Sequence, residues 1–418
     1  MIVGGGLAGG SAAVALREGG YRGGLTLVGR EPGVPFGRPP LSKTYLRGEE
    51  ALDSWLVKPP GWYAEHDVDL TFAGVVSVDA AAREVRLDSG QALPYKALLL
   101  ATGGRNRTLD VAGAHLAGVH QLRTVADCDA IRRHTRPGAR AVVAGMGFIG
   151  CEVAASLRQL GVQVTAILRG GLPLGQVLGK EVGEVIAAVH RQEGVEIRTG
   201  DQVVAFEGAG RLERAITEKG ARLPCELAVV AVGIEPDLPP VEGGRLEVDN
   251  GILVDALCRT SLAGVYAAGD VANHLHPLFG RIRVEHYNNA EKQGRAAGRI
   301  LAGGTEPYDY LHTFWSDQYR HKLEYVGHAK QWERFVVRGS LDERRFLGFY
   351  LQAGVVRAAV GFDRGGDPEL EADSEMAAAA RLVASRVKVP ADSLSDEALD
   401  LWSLTNSAPI HHSRSKPS

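Results

Sequence analysis

IVGGGLAGGSAAVALREGG, residues 2–20, begins apolar, turns on glycines and continues as an alanine-rich run. It reads as strand, glycine turn and helix, with Gly4, Gly6 and Gly9 in the pattern G-x-G-x-x-G. LTLVGRE, 25–31, reads as the next strand, which makes the first half of a dinucleotide-binding unit. The first glycine permits the tight turn, the second lets a pyrophosphate approach the backbone, and the third lets helix and strand pack closely. The helix N-terminus then offers amides and a positive dipole to phosphates. One such match is a weak signal, because glycine turns without ligands are common. The pattern recurs in ARAVVAGMGFIGCEVAASLRQLGVQVTAIL, 139–168, with Gly145, Gly147 and Gly150. Two copies, each between an apolar strand and an alanine-rich helix, point to a chain with two dinucleotide sites.

Two further glycine segments follow apolar runs: YKALLLATGG, 95–104, and LAGVYAAGDVAN, 262–273. Each pairs a buried strand with a small-residue turn, and each alone is equally an ordinary core strand ending in a loop. From Pro307 the texture changes. FWSDQYRHKLEYVGHA, ERFVVRGS and RFLGFYLQAGVVRAAVGF alternate and are rich in aromatics, as an antiparallel sheet requires. PELEADSEMAAAARLVASR, 368–386, reads as an amphipathic helix. The expected fold class is α/β, with two Rossmann-like dinucleotide-binding domains followed by a C-terminal α+β domain.

A chain of 418 residues has room for two or three such domains. Its net charge of −3 argues against a nucleic-acid partner, which selects for a basic excess. The four cysteines, Cys128, Cys151, Cys225 and Cys258, lie far apart without a C-x-x-C, so neither a zinc site nor a disulfide framework is expected. No apolar run reaches the length of a membrane span, and no signal segment precedes the first strand. The expectation is a cytoplasmic protein with no membrane and no metal. Met1-Ile2-Val3 reads as the end of a strand, which leaves the completeness of the N-terminus open. The polar tail, 406–418, reads as disordered, with His411 and His412 no more than frayed side chains.

The four glycine motifs in this order resemble the pyridine nucleotide-disulfide oxidoreductase superfamily, with its glutathione-reductase-like pair of dinucleotide folds. RPPLSKTYL, 38–46, and FWSDQY, 314–319, narrow the resemblance to the FAD-dependent ferredoxin and rubredoxin reductases, putidaredoxin-reductase-like enzymes that feed oxygenases. The resemblance covers the chain to about residue 405. It implies a discontinuous FAD-binding domain, 1–107 and 232–310, an NAD(P)H-binding domain, 108–231, and a C-terminal reductase domain, 311–405. It implies FAD contacts from Gly4, Gly6, Ala8, Gly9, Arg38, Lys43, Val76, Ala101, Thr102, Gly103, Arg123, Asp270 and Tyr287. It implies nicotinamide-nucleotide contacts from Gly145, Gly147, Phe148, Ile149, Gly150, Arg169 and Gly233. One departure stands out. Arg30 occupies the place of an Asp that usually accepts from the adenosine ribose, and Glu31 is expected to take over that bond.

In the superfamily, residues matching Lys43 and Glu152 pair beside the flavin, and both are assigned as catalytic. Pairing lets two buried charges stay ionised, and a cation near the ring stabilises negative charge where it develops. Disulfide reductases carry C-x-x-x-x-C on the helix of the first unit, and related peroxidases a single cysteine near the LSK position. This chain has neither. Cys151 sits at a helix start that could lower its pKa, but packing as a small apolar residue is the expectation. Electrons then leave through the flavin itself, which suits a one-electron acceptor: a ferredoxin- or rubredoxin-like iron–sulfur protein. Arg295 and Trp315 match partner-facing positions; the plain alternative for Arg295 is a solvated surface cation. The protein is expected as monomer or homodimer. NAD-using relatives carry an acid at the position of Leu168, whereas here Arg169 follows an aliphatic residue, so NADPH is expected over NADH. The alternatives are an oxidase, quinone or small-molecule reductase of the same fold, or an apoptosis-inducing-factor-like flavoprotein.

Overall fold

The computed structural model of the protein describes residues 1–405. The tail 406–418, read above as disordered, lies outside the described residues. By internal packing the described chain divides into two units: Met1–Pro173 with Val189–Tyr310, and Leu174–Ala188 with 311–405.

The first unit contains two five-stranded parallel sheets. In one, Ile2–Val3 lies at the centre, flanked by Leu25–Gly29 and Val68–Phe72 on one side and by Leu98–Leu100 and Val265–Ala267 on the other. Leu98, Leu99 and Leu100 are completely buried, as strands covered on both faces must be. The other sheet repeats the arrangement. Arg140–Ala144 is central, with Gln163–Leu168 and Glu196–Thr199 to one side and Leu227–Val230 and Val119–His120 to the other. In both sheets the strand that runs into the glycine turn is the middle one. The strand read as 25–31 ends at Gly29, because Arg30 already belongs to the following bend.

Helix Leu7–Glu18 packs on helix Tyr287–Leu301 through small residues. A Cβ on Gly294 would fall 2.3 Å from the Ala8 carbonyl oxygen, and one on Gly298 would fall 2.4 Å from that of Ala12. This approach brings the Asp270 loop beside the first glycine turn, with Gly269 against Ala8.

The second unit is built on an antiparallel sheet in the order Thr313–Gln318, His321–Gly327, Val355–Phe362, Arg345–Gln352, Arg334–Ser340. The helix read from sequence as 368–386 spans only Glu375–Ser385. Ser374 is its N-cap and accepts the Ala377 N–H at 3.1 Å, while residues 367–374 close turns through Glu371 N–H to Asp367 O and Ser374 N–H to Glu371 O. A serine cap fixes the start more firmly than apolar spacing does. Helix Gly175–Gln192 is broken at Gly179, whose φ is +86°. The break frees the Leu178 carbonyl, and the buried Tyr350 hydroxyl donates to it at 2.8 Å. Among the described residues no helix is long and apolar enough to cross a membrane.

Candidate functional site

The two glycine turns are equivalent in detail. Gly4 and Gly145 have φ of +124° and +101°, and a Cβ on either would strike a neighbouring carbonyl: Ala101 O at 2.0 Å, or Ala231 O at 2.3 Å. A Cβ on Gly9 would lie 2.0 Å from Gly4 O, and one on Gly150 would lie 2.1 Å from Gly145 O. Gly6 and Gly147 differ from these. Each is an extended N-cap with no side-chain cap, and a Cβ on either meets nothing within 4 Å. The first amides of a helix have no partner in the helix, so each turn presents donors and a positive helix end toward open space. That geometry fits the pyrophosphate of a dinucleotide.

Four of the predicted residues, Glu31, Arg38, Arg123 and Asp270, are joined by direct contacts. The Thr102 hydroxyl donates to Asp237 O at 2.6 Å, and Gly103 has φ of +70°. Arg123 pairs with Asp270 at 3.3 Å. Arg38 meets Glu31 Oε2 at 2.8 Å and donates to the Arg123 carbonyl at 2.5 Å. Burial lowers the Arg38 pKa, and the Glu31 carboxylate opposes that shift. Glu31 Oε1 accepts the Val125 N–H at 2.9 Å, so each of its oxygens already takes one hydrogen bond. Val76 lies half-exposed in strand Val75–Asp79. The Tyr287 ring meets Trp55 edge to face at 5.9 Å. Gly37 makes room for both, since a Cβ there would fall 2.5 Å from the Tyr287 ring. Burial raises the Tyr287 phenol pKa.

Lys43 is 9% exposed and Glu152 is 4% exposed. The Lys43 ammonium stands 2.7 Å from Glu152 Oε2. The pair therefore joins the segment after the first dinucleotide unit to helix Phe148–Gln159 of the second. The prolines of the Pro39–Ser42 turn favour this placement. Pro39 and Pro40 preset the first turn of a short 3₁₀ helix, and Lys43 terminates it at φ −128°, ψ −112°.

At the second turn, Phe148 meets His286 edge to face at 6.0 Å, and Ile149 is 44% exposed. Gly233, with φ of +96°, follows the strand beside the turn. Cys151 is completely buried, and burial drives its thiol pKa strongly upward. The possible helix-end activation is thus overridden. Leu168 is buried at its strand end, whereas Arg169 is exposed and lines an open cavity of about 350 Å³ with Gly200, Asp201, Gln202 and Glu218. The two acids are engaged within the cavity wall. Asp201 Oδ1 accepts the N–H of Gln202 and of Lys219, and Glu218 accepts from the Gln202 amide at 3.0 Å.

The two partner-facing candidates fall in different units. Arg295 forms a surface ion pair with Glu18 at 2.5 Å. Trp315 lies in strand Thr313–Gln318 opposite Glu324, whose carboxyl pKa is raised by burial and held back by Lys322.

Sequence reasoning missed Arg283 and Glu285. The Arg283 side chain is 7% exposed, pairs with Glu285 at 2.6 Å and donates to the Asp270 carbonyl at 3.1 Å, which props the loop beside the first turn. Burial raises the Glu285 pKa, first opposed by Arg283. The one available signal was two opposite charges on alternate positions of RVEHY, a pattern that a solvated strand shows equally well.

The pyridine nucleotide-disulphide oxidoreductase family matches residues 1–294, and the reductase C-terminal family matches 313–405. The chain is 38% identical to rhodocoxin reductase of Rhodococcus erythropolis over 352 residues, 84% of this chain and 82% of that one. It is 35% identical to the biphenyl dioxygenase system ferredoxin–NAD(+) reductase component of Paraburkholderia xenovorans over 98% of both chains. The solved structure of the covalent putidaredoxin reductase–putidaredoxin complex superposes with a TM-score of 0.90 at 35% identity, over 97% of this chain and 98% of that one.

Proposed function

We propose that this chain, which belongs to the pyridine nucleotide-disulphide oxidoreductase family, passes electrons from NAD(P)H to a ferredoxin-type iron–sulfur protein that serves an oxygenase. The protein is an oxidoreductase, and its cofactors are FAD and NAD(P)H. Bound FAD supplies the means to take two electrons as a hydride and release them singly. The observation that carries the proposal is the buried Lys43–Glu152 pair together with the cysteines. All four thiols are buried with pKa values raised by burial, so none is prepared to relay electrons.

The remaining roles belong to the protein's own residues. The uncapped helix starts at Gly6 and Gly147 hold the two pyrophosphates, one on each glycine turn. Ala8, Ala101, Thr102, Gly103, Arg123, Asp270 and Tyr287 line the first site, with Arg38 and Glu31 bracing it and Val76 at the adenine end. Lys43 brings positive charge to the ring, and Glu152 is its counter-ion. Phe148, Ile149 and Gly233 border the nicotinamide nucleotide. The domains follow as 1–107 with 232–310 for FAD, 108–231 for NAD(P)H and 311–405 for the C-terminal part. Arg295 and Trp315 face the iron–sulfur protein. The Glu18 pair is a small obstacle to such a partner, since exposed ion pairs contribute less than about 1 kcal/mol.

NADPH is the preferred donor. The strand end carries Leu168 rather than a carboxylate, and Arg169 lines the cavity whose acids, Asp201 and Glu218, are hydrogen-bonded to Gln202 of the same wall and, for Asp201, to the Lys219 N–H.

Stopped-flow mixing of the reduced protein with a [2Fe–2S] ferredoxin, and separately with oxygen, tests the function. Ferredoxin should be reduced far faster. Oxygen reacting as fast as every ferredoxin tried would overturn the proposal.

A further inference from the structure

Ser42 is 2% exposed and carries a hydroxyl into the interior. Its hydroxyl donates to Glu152 Oε2 at 2.5 Å, the same oxygen that the Lys43 ammonium meets at 2.7 Å. A second acceptor lies within reach of both, and the single Ser42 proton goes to the closer Glu152 oxygen. The Pro39 carbonyl oxygen lies 3.4 Å from Ser42 Oγ and 3.3 Å from Lys43 Nζ. The backbone of Ser42 is fastened too, because the Ser156 hydroxyl, one turn beyond Glu152, donates to its carbonyl at 2.7 Å. Arg47 in turn donates to Ser156 at 3.2 Å. The turn and the helix are thus pinned at two successive positions along one helix face.

We propose that Ser42 is a positioning residue for flavin reduction: its hydroxyl orients the Glu152 carboxylate, and through it fixes where the Lys43 ammonium stands. This rests on the reading of Lys43 and Glu152 as the charge pair beside FAD. A carboxylate held by lysine alone can turn about its terminal bond and follow a flexible four-carbon stem. Two donors on one oxygen, one of them a short hydroxyl–carboxylate bond, restrict that turning. Electrostatic stabilisation works only when the charge is already in place as the reaction proceeds, and small misplacements are costly.

The test compares FAD-loaded wild type, S42A, K43M and the double variant. Three quantities are read: the rate of flavin reduction in a single turnover, the flavin midpoint potential, and the Kd of the nicotinamide nucleotide. S42A should slow reduction about tenfold and lower the potential by about 30 mV, the two-electron equivalent of tenfold, with Kd unchanged. Added to K43M, it should change neither rate nor potential further, because it acts only through the lysine. S42A with wild-type rate and potential, or losses that add in the double variant, would overturn the proposal. A K43M variant that matches wild type would instead overturn the underlying reading of Lys43. Where S42A does not hold FAD, the isosteric pair S42T and S42V decides. The threonine variant should keep the wild-type potential and the valine variant should lose it; equal potentials sink the idea.

Discussion

Lys43 and Arg169 are the residues whose replacement says most. Lys43→Met should slow flavin reduction about a hundredfold, ~2.7 kcal/mol of transition-state stabilisation, while the nicotinamide Kd stays within a few-fold of wild type. The same change strands Glu152, and removing one partner of a buried pair costs about 3–5 kcal/mol of stability. Adding Glu152→Gln to Lys43→Met should therefore recover thermal stability without recovering the rate. Recovery of the rate would show that Lys43 acts on folding alone. Arg169→Ala should weaken NADPH and spare NADH. The kcat/KM for NADPH is expected to fall about tenfold or more, the scale of one charge-assisted hydrogen bond. A wild type that favours NADH severalfold, or a variant that loses both nucleotides alike, would contradict the NADPH assignment. At this scale the pairing of Lys43 with Glu152 was legible from RPPLSK and GCEVAA. The Ser42 hydroxyl was not, because sequence marked it only as the absence of a thiol.

The glycine turns separate two kinds of glycine within one motif. Gly145 holds φ +101° with Ala231 O only 2.3 Å from a would-be Cβ, whereas Gly147 has an ordinary φ of −76° and open space. Gly145→Ala should destabilise the protein even without nucleotide, through strain and a backbone clash. Gly147→Ala should keep the wild-type melting temperature and lose affinity for NADPH, since the methyl meets only the approaching pyrophosphate. Thermal melts with and without nucleotide check both. Equal melting temperatures for the two variants would show that the turns are not strained as described. The motif spacing revealed both turns, but not which glycine answers to folding and which to the ligand. Helix Gly175–Gln192 was illegible for a related reason. Its break falls at Gly179, where Tyr350, a residue far along the chain, donates to the Leu178 carbonyl.

For the whole molecule, the buried thiols give a test of packing. Burial pushes Cys128, Cys225 and Cys258 up to about 12 from 9.0. Native protein at pH 8 should resist iodoacetamide at all four cysteines and react fully once unfolded, because only the thiolate attacks. Rapid native labelling of any one of them would show that its site opens. The linkage has a definite sign. A thiol whose folded pKa is raised contributes stability that is intact below pH 9.0 and is lost as pH rises toward 12. In that window the unfolded chain gives up protons that the fold retains. Each thiol can account for up to about 1.4 kcal/mol per pH unit, and the raised phenols of Tyr63 and Tyr325 act in the same direction. Urea midpoints should therefore fall steadily from pH 9 to pH 11.

The sequence by itself determined the class of fold and the two dinucleotide turns, because those depend on local chemistry: apolar strands, glycines at fixed offsets and alanine-rich helices. It also determined that no C-x-x-x-x-C stands on the helix of the first unit and no cysteine near the LSK position, since that is read directly from the chain. What only the tertiary structure decided is how separated residues share one site. Glu31, Arg38, Arg123 and Asp270 come from four segments, and their pairing depends on which strands lie adjacent in the sheet. Likewise, Glu152 receives Ser42 and Lys43 on one oxygen across more than a hundred residues. A hydrogen bond acts over about 3 Å, and sequence spacing carries that distance only within a single helix, strand or turn.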